Sequence, residues 1–145
     1  MYDIFNNLGA VWGQQFGLEV PNYFASGDEP TFEKPSFRRS NAFMATAREV
    51  KAVRSKVSIN ELHNFGKYRI TGPKARGWLD RIMAGRIPKV GSLALTPMLS
   101  HKGRLLGDFT ASCIVENIFH LTASYSAQAQ HLRWFLQHEE DGVTI

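Results

Sequence analysis

The 145-residue chain reads as an α+β domain, an antiparallel sheet flanked by helices, and three features predict it. Period-2 alternation marks a half-buried strand at Lys67 to Thr71, where Tyr68 and Ile70 alternate with Lys67 and Arg69. Two apolar runs, Leu93 to Leu99 and Leu105 to Val115, flank the turn residues Ser100-His101-Lys102-Gly103 and so read as a hairpin. Around them, apolar residues recur at three-and-four spacing, the period of one helical face.

At the N-terminus, Asp3 can cap a helix with Ile4, Leu8, Val11 and Trp12 on one face, and Gly17 is placed to stop it. From Leu18 to Ser40 the chain mixes Pro21, Gly27, Pro30 and Pro35 with Tyr23, Phe24, Phe32 and Phe37. That is too aromatic for a free linker and predicts an irregular segment pinned to the body. Residues 1–40 thus read as a helix and lead-in, and 41–145 as the domain proper. Ser40 or Asn41 opens a second helix, with Phe43, Ala47, Val50, Val53 and Val57 as its apolar stripe and Arg48, Lys51 and Arg54 outside it.

Gly72-Pro73 ends the first strand, and Pro73 suits the first position of a third helix that buries Trp78, Leu79, Ile82 and Met83 and stops at Gly85. Within the hairpin, Leu93, Leu95, Pro97 and Leu99 alternate with smaller residues. Glu116-Asn117 turns the chain into a strand from Ile118 to Ala123, and Gln128 to His138 is a fourth helix with Leu132, Phe135 and Leu136 inward. Asp141-Gly142 is a turn dipeptide before Val143-Thr144-Ile145, a short strand with no evident partner.

Composition sets bounds on function. Seventeen Lys and Arg against thirteen Asp and Glu give +4, a mild basic bias with no run of like charge, which suits an anionic ligand as well as RNA. RNA binding rests on that charge alone, because the aromatics sit at core spacing. No window approaches the ~20 apolar residues of a membrane span and no leader pattern opens the chain, so a soluble cytoplasmic protein is expected. The lone Cys113 rules out an internal disulfide framework and alternates with Phe109 and Ala111 as a small buried hydrophobe. His63, His101, His120, His131 and His138 lack the spacing and the acidic or thiol company of a metal centre. No nucleotide-binding glycine motif is present, so flavin chemistry would belong to another domain.

Three stretches carry a resemblance. Arg48 to Lys89, REVKAVRSKVSINELHNFGKYRITGPKARGWLDRIMAGRIPK, Leu95 to Thr110, LTPMLSHKGRLLGDFT, and Leu8 to Pro30, LGAVWGQQFGLEVPNYFASGDEP, together resemble the glycine-cleavage T-protein family. The third is similar to the segment that leads into the C-terminal folate domain of dimethylglycine and sarcosine dehydrogenases. The chain differs from the usual family pattern at Gly17-Leu18-Glu19-Val20-Pro21 and at Glu61-Leu62-His63. The resemblance implies the N-terminal half of an aminomethyltransferase-type folate-binding fold, with tetrahydrofolate as cofactor. It also implies transfer of an amine-derived one-carbon unit to that folate, and as partner a flavoprotein domain or a second half-domain.

The same resemblance implies site residues. Asp108 falls where the family carries the aspartate facing the reactive nitrogens of the folate. Its strand position alone reads as a residue bonding a neighbouring turn, although an Asp between Gly107 and Phe109 in an apolar run needs a partner or a ligand. Thr110 lies two residues on and shares its face. Phe65 and Leu95 match positions lining the pterin slot and Tyr68 can stack or bond through its hydroxyl, though all three also read as simple packing; Ser124 and Tyr125 match the neighbourhood of a further cofactor contact, where Ala123 replaces the family's polar residue. The reading opposed to an enzyme part is a non-catalytic half-domain that completes its sheet with a partner or a second copy.

Overall fold

The computed structural model describes residues 1–145, which fall into two compact units, Met1–Leu62 and His63–Ile145. The second helix falls in the first of these units.

In the first unit, helix α1 spans only Tyr2–Asn7. The helix expected to run to Gly17 instead breaks at Gly9, whose φ is 83°, and the chain continues as strand β1, Ala10–Gln15. This pairs antiparallel with β2, Leu18–Phe24, so the irregular segment expected from Leu18 begins as a strand. Phe16 and Gly17 close the hairpin with φ of 53° and 82°, the two left-handed residues of a type I′ turn. Strand pairing wins because it sets Val11 opposite Tyr23, both buried, whereas a helix would leave them without partners. The stretch beyond β2 is tied back by polar contacts, the Tyr23 hydroxyl donating to the carbonyl of Pro30 at 2.7 Å and Arg48 pairing with Glu29 at 2.7 Å, while its aromatics Phe32 and Phe37 are exposed and do not pin it.

Helix α2, Phe43–Ser55, starts where Ser40 accepts a hydrogen bond from the Ala42 amide. Its packing face is not the expected stripe. Ala42 and Ala45 join Val11 and Tyr23 in a small core, while Phe43, Val50, Val53 and Val57 are exposed. Small alanines let the helix backbone come close to the hairpin, which the bulkier stripe would prevent.

The second unit holds the larger core. Strands β3 (Phe65–Thr71), β4 (Leu93–Leu99), β5 (Leu105–Val115) and β6 (Ile118–Ser124) form an antiparallel sheet in the order β3-β6-β5-β4. Helices α3 (Ala75–Ile82) and α4 (Gln128–Gln137) belong to the same core: Trp78, Leu79 and Phe135 pack with Ile70, Met98, Phe109, Ala111, Phe119 and Leu121. The α3 face of Trp78, Leu79, Ile82 and Met83 is buried as its periodicity predicts.

The buried side of β4 is settled here, and two expectations, for α4 and for the terminal segment, are overturned. In β4, Thr96 and Met98 are buried while Leu93 and Leu95 are exposed, because Gly85 lies so close that a Cβ there would stand 2.4 Å from Thr96 Oγ1. In α4, His131 and Phe135 face the core and Leu132 and Leu136 turn outward. The terminal Val143–Ile145 segment does find a partner: Thr71 and Thr144 exchange backbone hydrogen bonds of 2.8 and 2.7 Å at the edge of β3.

Candidate functional site

The four-stranded sheet has one face in the core and one exposed to solvent. Register identifies the residues of the second face. Leu95 stands opposite Thr110, Thr110 opposite Thr122, and Thr122 opposite Lys67. In the next row Pro97 is opposite Asp108, and Ser124 is opposite Phe65. Side chains alternate between faces along each strand, so Asp108, Thr110, Leu95 and Phe65, drawn from three strands, share one side of the sheet.

The Asp108 carboxylate is exposed and takes part in no side-chain hydrogen bond or ion pair. It is therefore not spent on holding the sheet. Beside it the surface is unusually apolar for an open face: Leu93 is 68% and Leu95 69% exposed, and Phe65 40%. An unpaired carboxylate and the Thr110 hydroxyl thus offer hydrogen-bond acceptors beside apolar surface. The site is an uncovered surface. A hollow of about 380 Å³ in this unit lies at the outer edge of β3, lined by Lys67, Arg69, Gln128, Thr144 and Ile145 among others.

Tyr68 does not join the group. It is 7% exposed on the core face, opposite Leu121, and its hydroxyl lies 3.1 Å from His131 Nδ1. The period-2 alternation that separates it from Lys67 also separates it from Phe65. Ser124 is on the open face and Ala123 is buried with the core. Cys113 is buried, its thiol donating to the Val115 carbonyl.

His131, read from the sequence only as one of five histidines without metal-site spacing, is a buried core residue. Its Nε2 lies 3.2 Å from the Leu106 carbonyl, which can only accept, so Nε2 carries the proton and Nδ1 receives the Tyr68 hydroxyl. Burial lowers the pKa of this imidazole, partly opposed by the Leu106 bond, and burial pushes the Tyr68 phenol up to about 12. The pair is a satisfied polar element of the core beneath β5. The signal that could have found it is Gly107, the only residue small enough there, since a Cβ would lie 2.4 Å from His131 Nε2.

A four-stranded antiparallel sheet with helices on one face and an exposed carboxylate on the other defines an α+β layered domain. The sequence matches the GCVT N-terminal domain family over residues 1–145, and the chain belongs to that family. It is 35% identical over 131 residues to human mitochondrial dimethylglycine dehydrogenase, covering 90% of this chain and 15% of the relative. It is 25% identical over 105 residues to an aminomethyltransferase of Halalkalibacterium halodurans, covering 71% of this chain and 29% of that one. The crystal structure of glycine cleavage system aminomethyltransferase T from Bartonella henselae shares the fold with a TM-score of 0.73 at 15% identity, over 99% of this chain and 36% of the other. The chain therefore spans a minor part of the length of these relatives. No helix is long and apolar enough to cross a membrane.

Proposed function

We propose that this chain forms part of the tetrahydrofolate site of an amine-demethylating enzyme, of the dimethylglycine or sarcosine dehydrogenase type or the aminomethyltransferase type. The observation that carries the reading is the unpaired Asp108 carboxylate standing on the same open face as Thr110, Leu95 and Phe65. Family membership supports it, as do relatives named for the two activities. Tetrahydrofolate, when bound, supplies the nucleophilic nitrogen that takes up the one-carbon unit.

The residues of this chain bind and orient. Asp108 accepts hydrogen bonds from ring N–H groups and places negative charge beside the electrophilic carbon as positive charge passes through it. Thr110 adds a hydroxyl on the same side, and Leu95 and Phe65 exclude water from the ring faces. Holding donor and acceptor in reactive geometry is the larger share of such catalysis, worth up to ~7–11 kcal/mol where alignment is complete. Flavin chemistry, if the whole enzyme uses it, falls to a domain outside this chain, and turnover needs groups beyond those present here.

Titration with tetrahydrofolate under reducing conditions, followed by amide chemical shifts, tests the reading. We expect saturable shifts at Leu95, Asp108 and Thr110, and at least a tenfold weaker response in Asp108→Asn, since an acceptor-only charge is lost. Shifts scattered over the core face, or an unchanged affinity in the variant, would remove Asp108 from the site. A second reading is favoured by the leucines: with Leu93 and Leu95 both more than two-thirds exposed, the face also suits a non-catalytic half-domain covered by a partner surface. In that case a partner and not folate would protect these positions.

A further inference from the structure

A different part of the second unit brings three rings together. The turn between β4 and β5 sets His101 against the C-terminal end of α4. There its ring centre lies 5.2 Å from Trp134 and 5.7 Å from His138, and Trp134 and His138 are 4.4 Å apart. The turn is held by the Ser100 amide donating to the Arg104 carbonyl at 2.8 Å and by the Arg104 amide donating to Ser100 Oγ at 3.1 Å. The α4 end is held by the Trp78 indole donating to the His138 carbonyl at 2.6 Å. Two imidazoles thirty-seven positions apart are thus presented side by side from two fixed elements.

Protonation is dictated by the partners. Nδ1 of His138 is 2.8 Å from the Trp134 carbonyl, and a carbonyl only accepts. Nδ1 therefore carries the proton and Nε2 presents its lone pair. A histidine whose outer nitrogen donates to a backbone carbonyl is oriented as metal-bound histidines are. His101 is exposed in its turn, and neither of its nitrogens is engaged in a hydrogen bond.

We propose that His101 and His138 form a two-imidazole site for a divalent first-row transition ion of the zinc and copper class, with water in the remaining positions. Imidazole is the ligand these ions share. Two imidazoles on one tetrahedral ion, with bonds of about 2.0–2.1 Å, place their ring centres roughly 5 Å apart. The observed ring-centre separation of 5.7 Å is close to that value. No three His, Cys, Asp or Glu side chains gather to enclose an ion, so this site is open and exchangeable, not structural. Binding would tie the β4–β5 turn to α4, a few residues from Leu106, whose carbonyl holds His131. The inference does not depend on the folate reading.

Calorimetric titration of the intact chain with zinc chloride in a non-chelating buffer tests it. We expect one zinc per chain, and at least about a tenfold loss of affinity in His101→Ala and in His138→Ala, with His120→Ala, on the open face, unchanged. The melting temperature of the wild type should rise with zinc while that of His101→Ala should not. His101 lies in an exposed turn, so its variant retains the fold and decides the matter even if His138→Ala unfolds. Zinc binding to His101→Ala at wild-type affinity, or equal losses in all three variants, would overturn the proposal.

Discussion

Asp108 and His131 are both polar residues met in apolar surroundings, and the structure puts them to opposite uses. Asp108 is exposed and unpaired, so its removal should cost the fold little: Asp108→Asn should leave the free energy of unfolding by urea within about 0.5 kcal/mol of wild type while weakening folate binding. A large loss of stability would mean that the carboxylate is structural after all. His131 is buried and neutral, with its pKa below the ordinary imidazole value. The unfolded chain therefore takes up a proton more readily than the folded one, and stability is fully present above the ordinary value and is lost as pH falls through it toward the folded value. Urea unfolding at pH 7.5 and 5.5 should show the lower stability at 5.5, and His131→Asn should flatten that difference. That Asp108 and Thr110 share a face was legible from their spacing. Which face it was, and that Tyr68 lay on the other, depended on what the helices covered.

Elements were legible where a single period ran without competition. The alternation of β3 and the four buried residues of α3 follow directly from spacing. The first helix was misplaced because Ile4, Leu8, Val11 and Trp12 satisfy a helical period by coincidence, while the turn that decides the matter, Phe16-Gly17, has a phenylalanine where asparagine or aspartate would announce it. Phe16→Asn places a residue tolerant of positive φ in the turn, where Phe16 is 53% exposed. Denaturant melts of the variant should show the N-terminal unit stabilised by roughly 0.5–1 kcal/mol. In β4 the decisive contact is Gly85 against Thr96. Gly85→Val should destabilise the second unit by about 1–3 kcal/mol and perturb the shifts of Thr96 and Met98, because the strand must move to make room. A neutral effect would show that β4 is held by other contacts.

Across the whole chain, stability is unevenly divided. The second unit gathers its core from seventeen buried residues of strands, helices and the terminal segment, whereas the first relies on four. Amides of β5 and β6 should exchange slowest with solvent, and those of β1 and β2 at least about tenfold faster; uniform protection would contradict this division. The sequence by itself determined the α+β class, the order of strands and helices in the second unit, the family, and the spacing that unites Asp108 with Thr110. These follow from local period and local motif, which a linear chain displays. Tertiary structure alone decided which side of each element is buried: the alanine face of α2, the histidine face of α4, and the outward leucines of β4. Burial depends on how closely two backbones can approach, and that distance is set by residues such as Gly85 and Gly107 acting on partners far away in the chain.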